Sequence, residues 1–130
     1  MAVIVDTSVI IAILLGEKSK NRIVEATIGE DLVAPFSLHW EIGNAFSAML
    51  KRKRLTIKET INALKIYSEI PLRFIDIDLE ATLKLSVKYN LYAYDCYFLV
   101  GCLINKIPLL TLDQKLIEAA QEEEIKIVEV

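Results

Sequence analysis

The chain has 130 residues, 54% of them hydrophobic, with 15 Lys and Arg against 18 Asp and Glu and a formal net charge of −3. At about 100–200 residues per domain this is the length of a single domain, residues 1–130, with apolar side chains enough for one core, which excludes a disordered tail. The acidic balance excludes nucleic-acid binding through overall charge, so such a partner would need a local basic patch or bound cations.

Ala2-Val3-Ile4-Val5 is an apolar, mostly β-branched run, the pattern of a strand buried on both faces of a parallel sheet, and Asp6 ends it. A helix is predicted over Thr7–Leu15, closed by Gly16, and a more polar one over Lys18–Ile28 before Gly29. Leu32-Val33-Ala34 is the next strand. Between Phe36 and Arg54 the apolar positions Leu38, Ile42, Ala45 and Met49 recur at helical spacing, and the stretch ends in Lys51-Arg52-Lys53-Arg54. Thr56 and Glu59 form a capping-box pattern for a further helix that Pro71 terminates.

Leu72–Ile77 is a third strand, Leu79–Tyr89 a helix, Ala93–Asn105 an apolar helix, Pro108–Leu110 a strand, Gln114–Glu124 a helix and Ile125–Val128 a last strand. This alternation predicts one α/β domain with a mostly parallel sheet of about five strands covered by helices. Sites in such sheets form beyond the carboxyl ends of strands, where Asp6 and Asp113 stand. The longest apolar run, Leu91–Ile104, falls short of the roughly 18–20 residues that span a bilayer and is broken by Asp95, so no membrane association is expected. Cys96 and Cys102 lie on one predicted helix, separated by roughly 9 Å of axial rise, and do not bridge. With no disulfide framework and no basic-then-apolar leader, the expected compartment is the cytoplasm.

The informative residues are acids in apolar surroundings. Asp95 is the only charge between Leu91 and Ile104, and an unpaired buried carboxylate costs several kcal/mol. It is either a structural acid bonded to backbone N–H groups or one that meets a cation. Glu41, with Asn44 one turn on, lies on a mostly apolar helix face, either solvated at its edge or drawn to a site. Asp6 and Asp113 each follow a strand and precede a helix, which suits an N-cap as well as a site. Together the four look like a converging carboxylate cluster, and oxygen-only ligation suits Mg²⁺ or Mn²⁺.

Val5-Asp6-Thr7-Ser8, Glu41-Ile42-Gly43-Asn44-Ala45, Tyr94-Asp95-Cys96-Tyr97-Phe98-Leu99 and Leu110-Thr111-Leu112-Asp113, in that order and spacing, resemble the PIN-domain ribonucleases. In length and layout the chain looks like a VapC-type toxin of a type II toxin–antitoxin pair. The resemblance implies a PIN-like three-layer α/β/α domain in which Asp6, Glu41, Asp95 and Asp113 are the catalytic, metal-binding acids. It implies that Thr7, Ser8, Asn44 and Thr111 orient them by hydrogen bonds. Cys96 stands where relatives usually carry alanine, a change a core tolerates. The implied activity is Mg²⁺- or Mn²⁺-dependent endoribonuclease cleavage of RNA that leaves 5′-phosphate and 3′-hydroxyl ends. The implied partners are an antitoxin protein and a second copy in a homodimer.

Metal-assisted hydrolysis needs no histidine, and His39, the only one, rules out a two-histidine ribonuclease; it is expected at the surface. Lys51, Arg52, Lys53 and Arg54 are either solvated cations at a helix end or RNA contacts, as are Lys18, Lys20 and Arg22. Tyr92, Tyr94 and Tyr97 are expected in the core or an interface rather than stacked on bases. Asp76 and Asp78 are expected to cap the following helix, and Glu122-Glu123-Glu124 to form a solvated face. A phosphotransfer protein would need a second acid beside Asp6, where Thr7 and Ser8 stand, and a phosphate-binding loop would need more than the four glycines present. A non-catalytic PIN-like scaffold is the remaining alternative, and retention of all four acids argues against it.

Overall fold

The computed structural model describes residues 1–130. Four strands, β1 (Ala2–Val5), β2 (Asp31–Pro35), β3 (Leu72–Ile75) and β4 (Leu109–Leu110), form one sheet in the order β3-β2-β1-β4. Every pairing is parallel: Ile4 stands opposite Val33 on one side and Leu109 on the other, and Ala34 opposite Phe74. Seven helices connect them: α1 (Thr7–Leu14), α2 (Lys20–Thr27), α3 (Ser37–Lys51), α4 (Ile57–Glu69), α5 (Leu79–Tyr89), α6 (Ala93–Asn105) and α7 (Gln114–Glu122).

The chain moves outward from β1 to β3 and then jumps back across the sheet to β4. Right-handed crossovers therefore place the two sets of helices on opposite faces. Their contacts agree, since α1 packs with α2, α3 and α4, while α6 packs with α5 and α7 and lies on β1 and β2. The reversal falls between β1 and β4, so the crevice that open α/β sheets use for ligands opens at the carboxyl ends of these two strands.

Strand β1 is the centre of the core because both of its faces are covered: Ile4 and Val5 are fully buried, as are Leu109 and Leu110 beside them. The core cluster has 27 buried residues, to which α1 contributes Val9, Ile10, Ile11, Ala12 and Leu14, and α6 contributes Phe98, Leu99 and Val100. Cys96 and Cys102 are free and buried, and burial raises their thiols to about 11 and about 12, so both stay protonated.

The helix-end signals operate as the sequence indicates. Thr56 Oγ1 accepts from Glu59 N–H at 3.2 Å and Glu59 returns the bond to Thr56 N–H at 3.0 Å, completing the capping box. Gly16 and Gly29, at φ of +63° and +78°, take the left-handed conformation that ends a helix cheaply only in glycine.

Three expectations change. The last predicted strand is reduced to one parallel bridge between Leu109 and Ile127, because β4 is only two residues long and offers no further ladder. Strand β3 stops at Ile75, leaving Asp76 exposed and outside the cap, which Asp78 alone provides by accepting from Ala81 N–H at 2.8 Å. Glu123 is not part of a solvated face, since it accepts from Lys88 at 2.6 Å and from the Tyr89 hydroxyl, which holds its carboxyl below the usual range.

Helix α6 approaches the sheet closely at Gly101, where an added Cβ would lie 2.8 Å from Ile4 Cδ1. Alanine there gains up to about 1 kcal/mol of helix propensity, and overpacking costs about 1–3 kcal/mol. Gly101→Ala alone is therefore expected to lower stability in urea unfolding, whereas in an Ile4→Val background, which removes that Cδ1, the same change is neutral or stabilising. Equal effects in the two backgrounds would contradict the contact.

Candidate active site

Asp6 is the residue around which the open end of the sheet is assembled. It ends β1, caps α1 and is only 5% exposed. Its Oδ1 accepts from the Ser8 hydroxyl at 2.6 Å and from Val9 N–H at 3.2 Å, and its Oδ2 accepts from the Thr111 hydroxyl. Each hydroxyl is itself fixed by a backbone donor beyond β4: Leu112 N–H donates to Ser8 Oγ at 3.1 Å, and Asp113 N–H to Thr111 Oγ1 at 3.0 Å. A single carboxylate thus ties the end of β1 to the segment after β4. Burial raises its pKa and the bonds from Ser8 and Thr111 counter part of that rise, while the charge of Asp113 adds to it.

Asp113 caps α7, its Oδ1 accepting from Lys115 N–H at 2.9 Å and Leu116 N–H at 3.5 Å. Asp95 lies half-buried in the first turn of α6, where the helix dipole favours an anion. Burial raises its pKa, the nearby Asp113 raises it further, and the positive charge of Lys115 opposes both.

On Glu41, in the second turn of α3, burial first and then the charges of Asp95 and Asp6 push the carboxyl up to about 7. Thr7 lies beside it and counters some of that rise, yet no bond of full geometry joins them, and Thr7 Oγ1 and Glu41 Oε2 are both buried without a partner. Glu41 and Thr7 line a cavity of about 520 Å³ with Trp40, Asn44, Ala45 and Tyr94.

The four acids are therefore near enough to repel one another, Asp6 with Asp113 and Glu41, and Asp95 with Glu41 and Asp113. As placed, no three of them converge closely enough to hold an ion together, a separation that their repulsion favours. The donor chemistry nevertheless fits a hard divalent cation: all the ligands are oxygens, and the buried Glu41 Oε2 has no other partner.

Ser8 and Thr111 make the hydrogen bonds expected of them, Thr7 stands beside Glu41 unbonded, and Asn44 lines the cavity without bonding an acid. Lys51, Arg52, Lys53 and Arg54 are exposed at and beyond the far end of α3, roughly 15 Å or more along the axis from Glu41. They do not line the cavity. Lys18, Lys20 and Arg22 are likewise exposed, at the start of α2. Tyr92 and Tyr94 are exposed rather than in the core, and Tyr97 is half-buried. His39 is exposed and its Nδ1 pairs with the Tyr67 hydroxyl at 3.1 Å. Two neighbours of the acids carried no sequence expectation: Lys115, whose position in the first turn after the Asp113 cap was the available signal, and Trp40, whose position next to Glu41 was.

A PIN-domain family model matches residues 3–122, and the chain belongs to the PIN-domain family. Comparison with curated protein sequences gave no significant match. Among solved structures, the chain is similar to PAE2754 from Pyrobaculum aerophilum, with a TM-score of 0.73 and 17% identity over 93% of this chain and 81% of that one. It is similar to VapBC2 from Rickettsia felis, solved with a DNA fragment from its promoter, with a TM-score of 0.68 and 14% identity over 98% of this chain and 97% of that one. It also resembles the sarcin-ricin loop cleaving toxin VapC20 of Mycobacterium tuberculosis, with a TM-score of 0.62 and 12% identity over 90% of this chain and 94% of that one. At these identities the likeness is one of fold.

The raised carboxyl of Glu41 has a consequence for stability. Its folded pKa of about 7 exceeds the ordinary 4.5, so between these values the folded state holds a proton that the unfolded state has lost, and stability falls as pH rises through this window. In EDTA the melting temperature is expected to drop between pH 5 and pH 8. Glu41→Gln should flatten that slope and melt higher than the parent at pH 8. A parent whose melting temperature is unchanged over this range, or a variant with the parent's slope, would contradict the assignment.

Proposed function

We propose that the protein is an endoribonuclease dependent on Mg²⁺ or Mn²⁺ that hydrolyses RNA phosphodiester bonds, and that it is the toxin of a VapC-type toxin–antitoxin pair acting in the cytoplasm. The observation that carries this reading is the placement of Asp6 and Asp113 just beyond the carboxyl ends of β1 and β4, with Asp95 and Glu41, whose buried Oε2 has no partner, close to them in a PIN-domain chain. Keeping four acids within range of one another destabilises the folded protein, and an oxygen-seeking cation relieves that cost.

The four carboxylates are the groups that would hold the ion. When bound, it supplies positive charge beside the phosphate and a water of lowered pKa. The residues of the chain do the rest. Asp6 is held in one orientation by Ser8 and Thr111, so it need not reorient at the moment of reaction. Glu41, raised to about 7, is the acid best matched to take or give a proton near neutral pH, at its unpartnered Oε2. Lys115 offsets the charge of Asp95 and would add positive charge on that side of the site. RNA as substrate and an antitoxin as partner are supported by the similar folds of VapC20, described as a sarcin-ricin loop cleaving toxin, and of VapBC2. For an antitoxin segment and a second copy in a homodimer, the available surfaces are exposed apolar stripes on α4 (Ile57, Ile61, Leu64) and α5 (Leu79, Leu83, Val87). No helix is long and apolar enough to cross a membrane.

Incubation of the purified protein with total RNA, with Mg²⁺ or with EDTA, and sequencing of the fragment ends tests this reading. Cleavage with Mg²⁺ that leaves 5′-phosphates and stops in EDTA is expected. Asp6→Asn and Asp95→Asn should abolish it in folded protein, and Thr111→Val should cost about 10–100-fold, the loss typical of a group that orients a ligand. A parent that leaves RNA intact in Mg²⁺ and Mn²⁺, or aspartate variants as active as the parent, would leave the scaffold alternative standing.

A further inference from the structure

Two aromatic side chains stand next to the acids without a part in the chemistry above. Trp40 precedes Glu41 on α3 and Tyr94 precedes Asp95 on α6, and they are 65% and 55% exposed, although Trp40 is the chain's only tryptophan. Neither ring is loose. Trp40 is braced edge-on by His39 at 4.8 Å and Phe36 at 5.9 Å, and His39 is anchored in turn by the Tyr67 hydroxyl at 3.1 Å. Tyr94 meets Tyr97 edge-on at 5.9 Å. At 65% and 55% exposure, much of the Trp40 and Tyr94 ring surface stays open to a stacking partner.

These two rings are shared walls. On one side is the cavity that holds Glu41; on the other is a second cavity of about 310 Å³, lined by Ile75, Ile77, Leu79 and Tyr97 with Ser37 and Asp76 as its polar groups. The Ser37 hydroxyl oxygen is buried and has no partner in the protein. An apolar pocket with two polar groups, entered between two aromatic faces, has the composition of a site for one unstacked base. Its continuity with the carboxylate cavity puts that base beside the phosphate that the acids would face.

Resting on the ribonuclease reading, we propose that Trp40 and Tyr94 clamp the RNA base adjacent to the cleaved phosphate and direct it into this second pocket. Asp76 gives the pocket its preference. An ionised carboxylate only accepts hydrogen bonds, and guanine alone presents a ring N–H and an amino group side by side, so both carboxylate oxygens are met at once. Guanine is therefore the base this pocket selects.

Tryptophan emission reads the clamp directly, because no other tryptophan contributes. The non-cleaving Asp6→Asn protein, and the parent in EDTA as the unmutated control, are titrated with RNA pentamers of uridine carrying guanine, adenine, cytosine or uracil at the centre. Emission of Trp40 and anisotropy of an end-labelled RNA are recorded together. The expected result is saturable quenching that follows binding, tightest for guanine, with affinity about ten-fold weaker in Tyr94→Ala and near the parent's in Tyr94→Phe. Asp76→Asn should erase the guanine preference while quenching persists. RNA that binds with Trp40 emission unmoved, RNA that binds neither protein, or Tyr94→Ala binding as tightly as the parent would overturn the clamp. Equal affinity for the four pentamers would overturn the role of Asp76. Cleavage of total RNA by the parent is scored separately: its absence overturns the nuclease reading, whereas unmoved emission with intact cleavage overturns only the clamp.

Discussion

The carboxylate of Asp6 is asked to do two things that pull against each other. Its two oxygens, accepting from Ser8 and Thr111, bind the end of β1 to the segment that follows β4, and those hydroxyls are fixed by the backbone of Leu112 and Asp113. The bond network requires an anion in a nearly buried position, yet burial and the neighbouring Asp113 favour its neutral form. The start of α1 and the turn into α7 are both tied to this one clamped group.

Charge placed this way also gives the net charge of −3 a different meaning. An excess of three acids spread over a surface would repel a polyanion, but four of the 18 acids are gathered at one end of the sheet. The remainder of the molecule is close to neutral. Its two basic runs lie away from the cavity, on the far end of α3 and on α2, so they would act on distant backbone phosphates and not at the reacting one. Proteins commonly accept such local destabilisation at functional sites, and here its mark is Glu41, a half-buried acid with an unpartnered oxygen.

Much of the fold was legible in the sequence because it rests on local signals. β-Branched runs marked the strands buried on both faces, and Gly16, Gly29, Thr56 and Asp78 marked helix ends through backbone chemistry that needs no tertiary context. The last strand was not legible in the same way: Ile125–Val128 has the composition of a strand, but its pairing depended on how far β4 could extend before Thr111 turned toward Asp6. Of the candidate site, the four acids stood out because each interrupts an apolar pattern or ends a strand. Lys115 and Asp76 did not, since an exposed charge in sequence carries no mark of which distant group it will face. The exposure of Trp40 and Tyr94 was hidden for the opposite reason, because aromatic residues on apolar helices are usually core.

In the proposed function, the clamped Asp6 and the acids near it close on a divalent cation when one binds. Electron paramagnetic resonance of free Mn²⁺ during titration with the protein at neutral pH tests it most directly. The claim predicts a saturable loss of the free-ion signal with the parent and none with folded Asp6→Asn. A parent that leaves the signal unchanged, or an Asp6→Asn protein that removes as much Mn²⁺, would contradict it.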